Sequence, residues 1–325
     1  MLKKFRCLAF LMALILVVVS CTTFAANKPL KLVYGHQFVK DHFYCKGDLY
    51  FKELVEKNSK GQILIDYFPA GQLGNEREML QATQSGAQQL DLVSVGVLQH
   101  SWPELITFDL PYILRDYKHQ LKVAERITSL IDPKELATKA GVRIIGVRVA
   151  SPRQLTTKFP VSKLNDLKGH KIRVPENPML TACFKAWGAI PTAIPAADLY
   201  TALATGTVEG QENPFDSIYS FKWYEQAKYC ALTAHIRANY YHVISEKCWE
   251  GLTASQKKII TNAADKTTKM MIEAAKASEE EYYQLLVKGG MQFTKPDLAP
   301  FMEKAKTIWS KFGDEKLIKK INEIK

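Results

Sequence analysis

The chain lacks the short patterns that announce chemistry. It has no G-x-S-x-G, no H-E-x-x-H, no P-loop and no G-x-G-x-x-G, which removes the motif-based cases for a serine hydrolase, a zinc hydrolase, a nucleotide hydrolase and a dinucleotide enzyme. The six cysteines are widely spaced, with no C-x-x-C and no zinc pattern. No block of lysine or arginine marks a nucleic-acid arm, so no nucleic-acid partner is expected. Beyond residue 26 no run reaches the roughly 18 apolar residues of a membrane helix. Ser255-x-x-Lys258 matches a serine–lysine motif in letters only, in what reads as the first turn of a helix. Glu279-Glu280-Glu281 reads as a solvated face. The seven histidines are scattered; His36 and His42 are near enough to share a site but read better as cap or surface residues. No enzyme, cofactor or metal is expected.

What is present is an ordinary globular composition in 325 residues, 47% apolar and 24% charged. That length fits two domains or one large one. The net charge of +11 is compatible with anionic partners and identifies none. Lys3, Lys4 and Arg6 followed by the apolar run Leu8–Val19 read as a secretory leader. Cleavage after Ala25 fits its small-residue pattern and makes residues 1–25 a signal peptide. Val18-Val19-Ser20-Cys21 offers the alternative of a lipoprotein anchored at Cys21. Either route leads to the periplasm. Export permits disulfides; Cys45, Cys183, Cys230 and Cys248 are either buried free thiols or include one bridge.

Strand-like and helix-like segments alternate. Leu30–Gly35, Gln62–Phe68, Leu90–Val97 and Val142–Val149 read as strands, and Lys46–Asn58 as a helix. Asn75-x-x-Glu78 is a capping box for a helix running to Ser85. A second set follows Ser151: a short strand at Lys171–Val174, a helix from Asn177-Pro178 through Trp187, a helix at Ala196–Thr205, another opened by Glu212-Asn213-Pro214, and a strand at Tyr240–Ser245. The βα order predicts mostly parallel sheets covered by helices. Thr253-x-x-Gln256 caps an apolar periodicity that continues to Lys288 without glycine or proline. A helix of that length, about 50 Å, outruns one domain of about 150 residues; the alternative is two helices broken near Ser278. The expected fold is therefore α/β, a two-lobe clamshell with a cleft between lobes and a long helix spanning both.

Phe68-Pro69-Ala70-Gly71-Gln72-Leu73-Gly74, Phe108-Asp109-Leu110-Pro111, Arg153-Gln154-Leu155-Thr156-Thr157, Asp166-Leu167-Lys168-Gly169, Lys171-Ile172-Arg173-Val174-Pro175 and Gly210-Gln211-Glu212-Asn213-Pro214 occur in this order. Together they resemble the extracytoplasmic solute-binding proteins of tripartite ATP-independent periplasmic (TRAP) transporters, of the dicarboxylate- and sialate-binding type. The likeness covers nearly all of the exported chain. It implies a monomeric binder of a small organic-acid anion that delivers to the small and large membrane permease subunits. It implies a first lobe of residues 26–150 plus 239–278, and a second of 151–238 plus 279–325.

The resemblance also assigns roles. Arg173 clamps the ligand carboxylate, Arg153 assists and Asn213 donates to the same group. Chemistry supports the choice of arginine, because a planar guanidinium presents paired donors to two carboxylate oxygens. The competing roles are an interlobe salt bridge for either arginine and a helix cap for Asn213; Asn177 is read as a plain cap. First-lobe contacts are expected from His36, Gln37, Glu76 and the strand end near Ser94–Gly96. Gln37 lies near the place of an asparagine of sialate binders, Gly96 replaces an acid, and Ala196 replaces a bulky residue. Sialic acid is thereby disfavoured, while His36, Phe215, Tyr240 and Tyr241 suit a smaller keto, dicarboxylic or aromatic acid. Three rival functions share the cleft: a ligand sensor for a signalling receptor, a secreted enzyme acting on an organic acid, and a binding protein of an ATP-driven importer.

Overall fold

The computed structural model describes residues 28–325, so the segment read as a leader, with both of its expected processing sites, lies outside the described residues. Leu30–Gly35 (β1), Ile63–Phe68 (β2), Leu90–Ser94 (β3), Val142–Val149 (β4) and Asn239–Ser245 (β10) build one sheet in the order β2-β1-β3-β10-β4. Arg153–Thr157 (β5), Lys171–Val174 (β6), Ile190–Ala193 (β7), Gly210–Asn213 (β8), Tyr229–Ile236 (β9) and Gln292–Thr294 (β11) build the other, in the order β11-β9-β5-β8-β6-β7. Each sheet is the centre of one lobe.

The sheets are mixed, not mostly parallel. β1, β2 and β3 pair in parallel, as do β6 with β7 and with β8. β10 is antiparallel to β3 and β4, and β5 is antiparallel to β8 and β9. The reason is the route of the chain. Strands within a βαβ unit all point the same way, here toward the cleft. β5 and β10 follow directly on crossings between lobes, enter from the cleft side and must run opposite to their neighbours. Strand ends from both sheets therefore converge on one crevice, the usual place for ligands in open α/β sheets.

Local chemistry sets most helix limits. Asn75 and Glu78 close a capping box at the start of Glu76–Ser85, and Gly86 ends that helix in the left-handed conformation. Asn177 Oδ1 accepts from Met179 N and Leu180 N at the start of Pro178–Ala186. Leu90–Val97 departs from expectation: the strand stops at Ser94, whose hydroxyl accepts from Val97 N (3.3 Å) and starts a single helical turn, Val95–Leu98.

The long helix is unbroken over Ala254–Lys288, 35 residues, behind the Thr253–Gln256 capping box. At 1.5 Å per residue it is about 52 Å long. Ile260, Ala264, Thr267, Met271, Ala275, Ser278, Tyr282 and Leu286 form its buried stripe. It packs on helix Phe43–Asn58 and β4 of the first lobe and on Phe215–Ser220 of the second.

The C-terminus divides differently from expectation. Helix Ala299–Lys306 lies on Pro178–Ala186, with Trp187 Nε1 donating to the Phe301 carbonyl (3.0 Å). The chain then returns to the first lobe. Trp309 Nε1 donates to the Pro111 carbonyl (3.1 Å), and His119 Nε2 lies 2.9 Å from the Ile321 carbonyl. Helix Glu315–Glu323 buries Leu317 and Ile321 there, so the last residues join the first lobe. All four cysteines of the described chain are free thiols, and burial pushes the Cys45 thiol up to about 12.

Candidate functional site

A cavity of about 530 Å³ lies between the lobes. Its second-lobe wall begins with Arg173 on β6, which lines the cavity and is only 3% exposed. Its Nε donates to the Ile194 carbonyl (2.7 Å), and among the described residues no carboxylate lies within 4 Å of it. Burial pulls its pKa down to about 10, with the Glu212 charge opposing and Arg153 adding to the fall. A buried cation without a counterion is costly to hold, so this guanidinium is poised for an anion.

Arg153, at the start of β5, also lines the cavity but is already paired. Its Nε and Nη2 bind Glu212 Oε2 (2.5 Å) and Oε1 (2.7 Å), and Nη2 also donates to the Glu212 carbonyl (2.8 Å). β5 and β8 run side by side, which sets the two residues together. His235 Nε2 lies 3.0 Å from Glu212 Oε2. Burial would raise the Glu212 carboxyl, but Arg153 and His235 override it and hold it at about 2. Burial lowers the His235 pKa. Arg153, which lines the cavity, thus keeps two N–H groups free, those of Nη1, with its charge neutralised.

Asn213 ends β8. It caps no helix: the following helix is entered through Pro214 without a side-chain cap. One N–H goes to Gln211 Oε1 (2.6 Å), which leaves the other and the carbonyl for the cavity.

The first-lobe wall starts at the loop after β2. Ala70 and Gly71 are both left-handed, with φ of 61° and 67°. This turn sends Ala70 N to the Phe38 carbonyl (2.7 Å) and Gly71 N to the His36 carbonyl (3.0 Å), folding the loop over the end of β1. Glu76, the first residue of its helix, accepts from Gln37 Nε2 (2.8 Å) and Ser94 N (2.6 Å). Burial raises its carboxyl against those two hydrogen bonds. Gly96 allows close approach of the opposite lobe: a Cβ there would stand 3.0 Å from Asn177 Nδ2.

The structure therefore brings Arg153, Arg173, Asn213, Gln37, Glu76 and Gly96 to one cavity. Three expected contacts need correction. His36 is fully buried beneath the cavity, its Nε2 2.7 Å from Tyr67 Oη and 3.2 Å from Asp48 Oδ2, and its Nδ1 accepts from Phe38 N. Phe215 is turned by its helix into an aromatic cluster with Tyr283 and Phe293. Tyr241 points to the face of β10 opposite Tyr240, as strand alternation requires; Tyr240 lines the cavity and Tyr241 is fully buried. His36 and His42 do not share a site, because His42 caps helix Phe43–Asn58 and its Nε2 faces Ser217 Oγ (3.2 Å).

Among the polar lining residues given no ligand role from sequence are Asn177 and Asp109. Asn177 caps its helix and also lines the cavity. Asp109 lines the cavity with no hydrogen-bond partner at Oδ1. Its signal was available: an acid inside the apolar stretch Leu105–Leu110. Among the described residues His36, Cys45 and Asp48 could converge on a metal, within 4.8 Å of one another. They lie outside the cavity, with the Arg148 guanidinium 3.3 Å from Asp48 and a thiol that burial keeps protonated, surroundings that oppose a divalent cation.

Two α/β lobes around a cleft with an unpaired buried arginine define a clamshell solute-binding protein. The chain belongs to the bacterial extracellular solute-binding proteins, family 7, whose profile matches residues 34–316; it is a TRAP transporter solute-binding protein. The sialic acid-binding periplasmic protein SiaP of Vibrio cholerae is 31% identical over 260 residues, 80% of this chain and 81% of that protein. A TRAP periplasmic solute-binding protein of Polaromonas sp. JS666, solved bound to D-erythronate, is 31% identical with a TM-score of 0.85, covering 91% of this chain and 99% of that one. Another, of Xanthobacter autotrophicus Py2 with bound β-D-galacturonate, has a TM-score of 0.86 and 26% identity, covering 90% and 100%.

Proposed function

We propose that this chain captures a small organic acid in the periplasm and delivers it to the small and large membrane subunits of a TRAP transporter. The ligand carboxylate docks on Arg173, supported by the remaining donors of Arg153 and Asn213. The lobes then close by a hinge motion over the segments that cross between them, near Ala150–Pro152 and Arg237–Ala238. Closure is driven by differential affinity, since only the closed form offers the contacts of both walls at once. One observation carries the reading: Arg173 is buried in the cavity wall without an acidic partner, so an incoming carboxylate gives it the counterion the fold omits. Relatives named for binding sialic acid and solved with erythronate or galacturonate support an organic acid as the cargo.

The test is a thermal-shift screen of the purified protein against small organic acids, followed by calorimetry. A ligand at 100 times its Kd adds about 2.7 kcal/mol of stability, which a melting curve resolves. Removing one partner of a buried charge pair costs about 2–5 kcal/mol of binding, so Arg173→Ala should weaken the acid found at least thirtyfold. Arg173→Lys should also bind poorly, because an ammonium keeps the charge and loses the fork. Near-normal affinity in Arg173→Ala overturns the clamp.

A further inference from the structure

We infer that the cavity selects a monocarboxylate whose far end carries hydrogen-bond donors, and that Asp109 and Glu76 are the acceptors that enforce the choice against dicarboxylates. This rests on the reading of Arg173 as the carboxylate anchor.

The two walls of the cavity differ in the charged groups they carry, and the first lobe adds the Tyr240 hydroxyl, which can donate or accept, to its acids. The second lobe presents donors: the Arg173 guanidinium, the two remaining N–H groups of Arg153 and the Asn213 amide. The first lobe presents acceptors: Glu76 and Asp109. Asp109 closes the helical segment Pro103–Asp109 and is 6% exposed. Its Oδ1 has no hydrogen-bond partner, and no basic side chain lies within 4 Å among the described residues. A buried acceptor left unmade is expensive, and the carboxyl that carries it lines the cavity. Glu76 spends one lone pair of each oxygen on Gln37 and Ser94; a carboxylate has about four such sites, so two remain. Burial pushes the Asp109 carboxyl up to about 7, with Arg153 opposing and Glu212 and Glu76 adding to the rise.

The charges of the lining groups exclude a second anion. Arg153 is neutralised by Glu212, and Arg77 at the rim pairs with Glu176 (3.6 Å). Arg173 is the one arginine of the lining left without a carboxylate. A ligand carboxylate on Arg173 uses that charge up. A second carboxylate at the far end of a short acid would face Glu76 and Asp109, like charges in a poorly hydrated space. Hydroxyl or ammonium groups in the same place satisfy both acids.

The test uses length-matched probes on the purified protein by calorimetry at pH 8. D-erythronate and 4-aminobutyrate are compared with succinate, and D-gluconate and 6-aminohexanoate with adipate. At least one donor-bearing monocarboxylate should bind tenfold or more tightly than the dicarboxylate of its length. A hydroxy acid winning assigns hydroxyl donors to the site, and an amino acid winning assigns an ammonium; both uphold the selection. The isosteric variants Asp109→Asn and Glu76→Gln, checked for folding by their melting curves, should each narrow the preference at least threefold. A dicarboxylate that binds as well or better, and loses that binding in Arg173→Ala, overturns the selection and leaves the clamp standing. If none of these acids binds, the clamp fails and the selection with it.

Discussion

Each lobe contains a buried cluster of arginine, carboxylate and histidine, and the two clusters differ in what lies beside them. In the first lobe Asp48 accepts from Tyr34 Oη (2.6 Å) and Arg148 Nη2 (3.3 Å), with His36 Nε2 3.2 Å away. In the second lobe Glu212 is held by Arg153 and His235. Burial opposes ionisation at both acids, and the hydrogen bonds and positive charge around each hold both at about 2. The first cluster is sealed: Arg148 and Asp48 are fully buried and are not part of the lining of the interlobe cavity. The second has Arg153 at the cavity wall and, beyond it, Arg173 with no acid of its own. The lesson is that a buried ion pair does not mark a binding site. The mark is a neighbouring charge left unbalanced and open to a cavity.

That contrast predicts how the two clusters respond to matched neutralisation. Asp48→Asn leaves Arg148 as an uncompensated interior cation with no route to a counterion. We expect a loss of about 3 kcal/mol, at the lower edge for breaking a buried pair, read as a fall in denaturant midpoint at unchanged slope. The acid that stabilises wild type should stabilise this variant by the same increment and no more. Glu212→Gln should cost less than that, because the freed Arg153 lines the cavity. Here the organic acid should restore an additional part of the lost stability by pairing with both guanidiniums. Equal ligand-induced shifts in the two variants would erase the distinction between sealed and open clusters.

How much of this was legible depended on the kind of signal. β1, β4 and β6 have the bounds that the sequence predicts, and in β4 the run of β-branched residues leaves little choice. The capping boxes at Asn75 and Thr253 fixed two helix starts by local hydrogen bonding alone. The strands of the second lobe were poorly marked for a physical reason. Arg153–Thr157 and Gly210–Asn213 are largely polar in sequence yet buried, and their side chains are satisfied within the sheet: Gln211 Nε2 donates to Thr156 Oγ1 (2.5 Å), and Gln154 Oε1 accepts from Ala234 N of β9 (2.9 Å). Hydrophobic periodicity is silent where burial rests on mutual hydrogen bonds. The arginines and Asn213 were found through ordered motifs. Side-chain direction is not available from them, so His36 and Tyr241 are named alongside Gln37 and Tyr240, and only the latter two line the cavity. Asp109 stands in a motif without a role: its apolar surroundings in sequence mark it as a buried acid, but nothing local shows that its carboxyl is left unpartnered.

Asp109 sharpens the comparison further, since it is the acid that neither cluster compensates. Its folded pKa of about 7 lies above its ordinary 3.8, chiefly through burial. An acid with a raised folded value binds its proton more tightly in the native state. Its contribution is therefore fully present below about pH 4 and is lost as pH rises toward 7, the reverse of Asp48 and Glu212. Asp109→Asn removes this penalty while keeping the shape. The variant should match wild type near pH 4 and exceed it by roughly 1–3 kcal/mol at pH 8, in the absence of ligand. Urea melts at the two pH values measure the difference directly. An Asn variant that is less stable than wild type at pH 8 would mean that the carboxylate has partners in solution, and its role as an acceptor kept open for cargo would fall with that result.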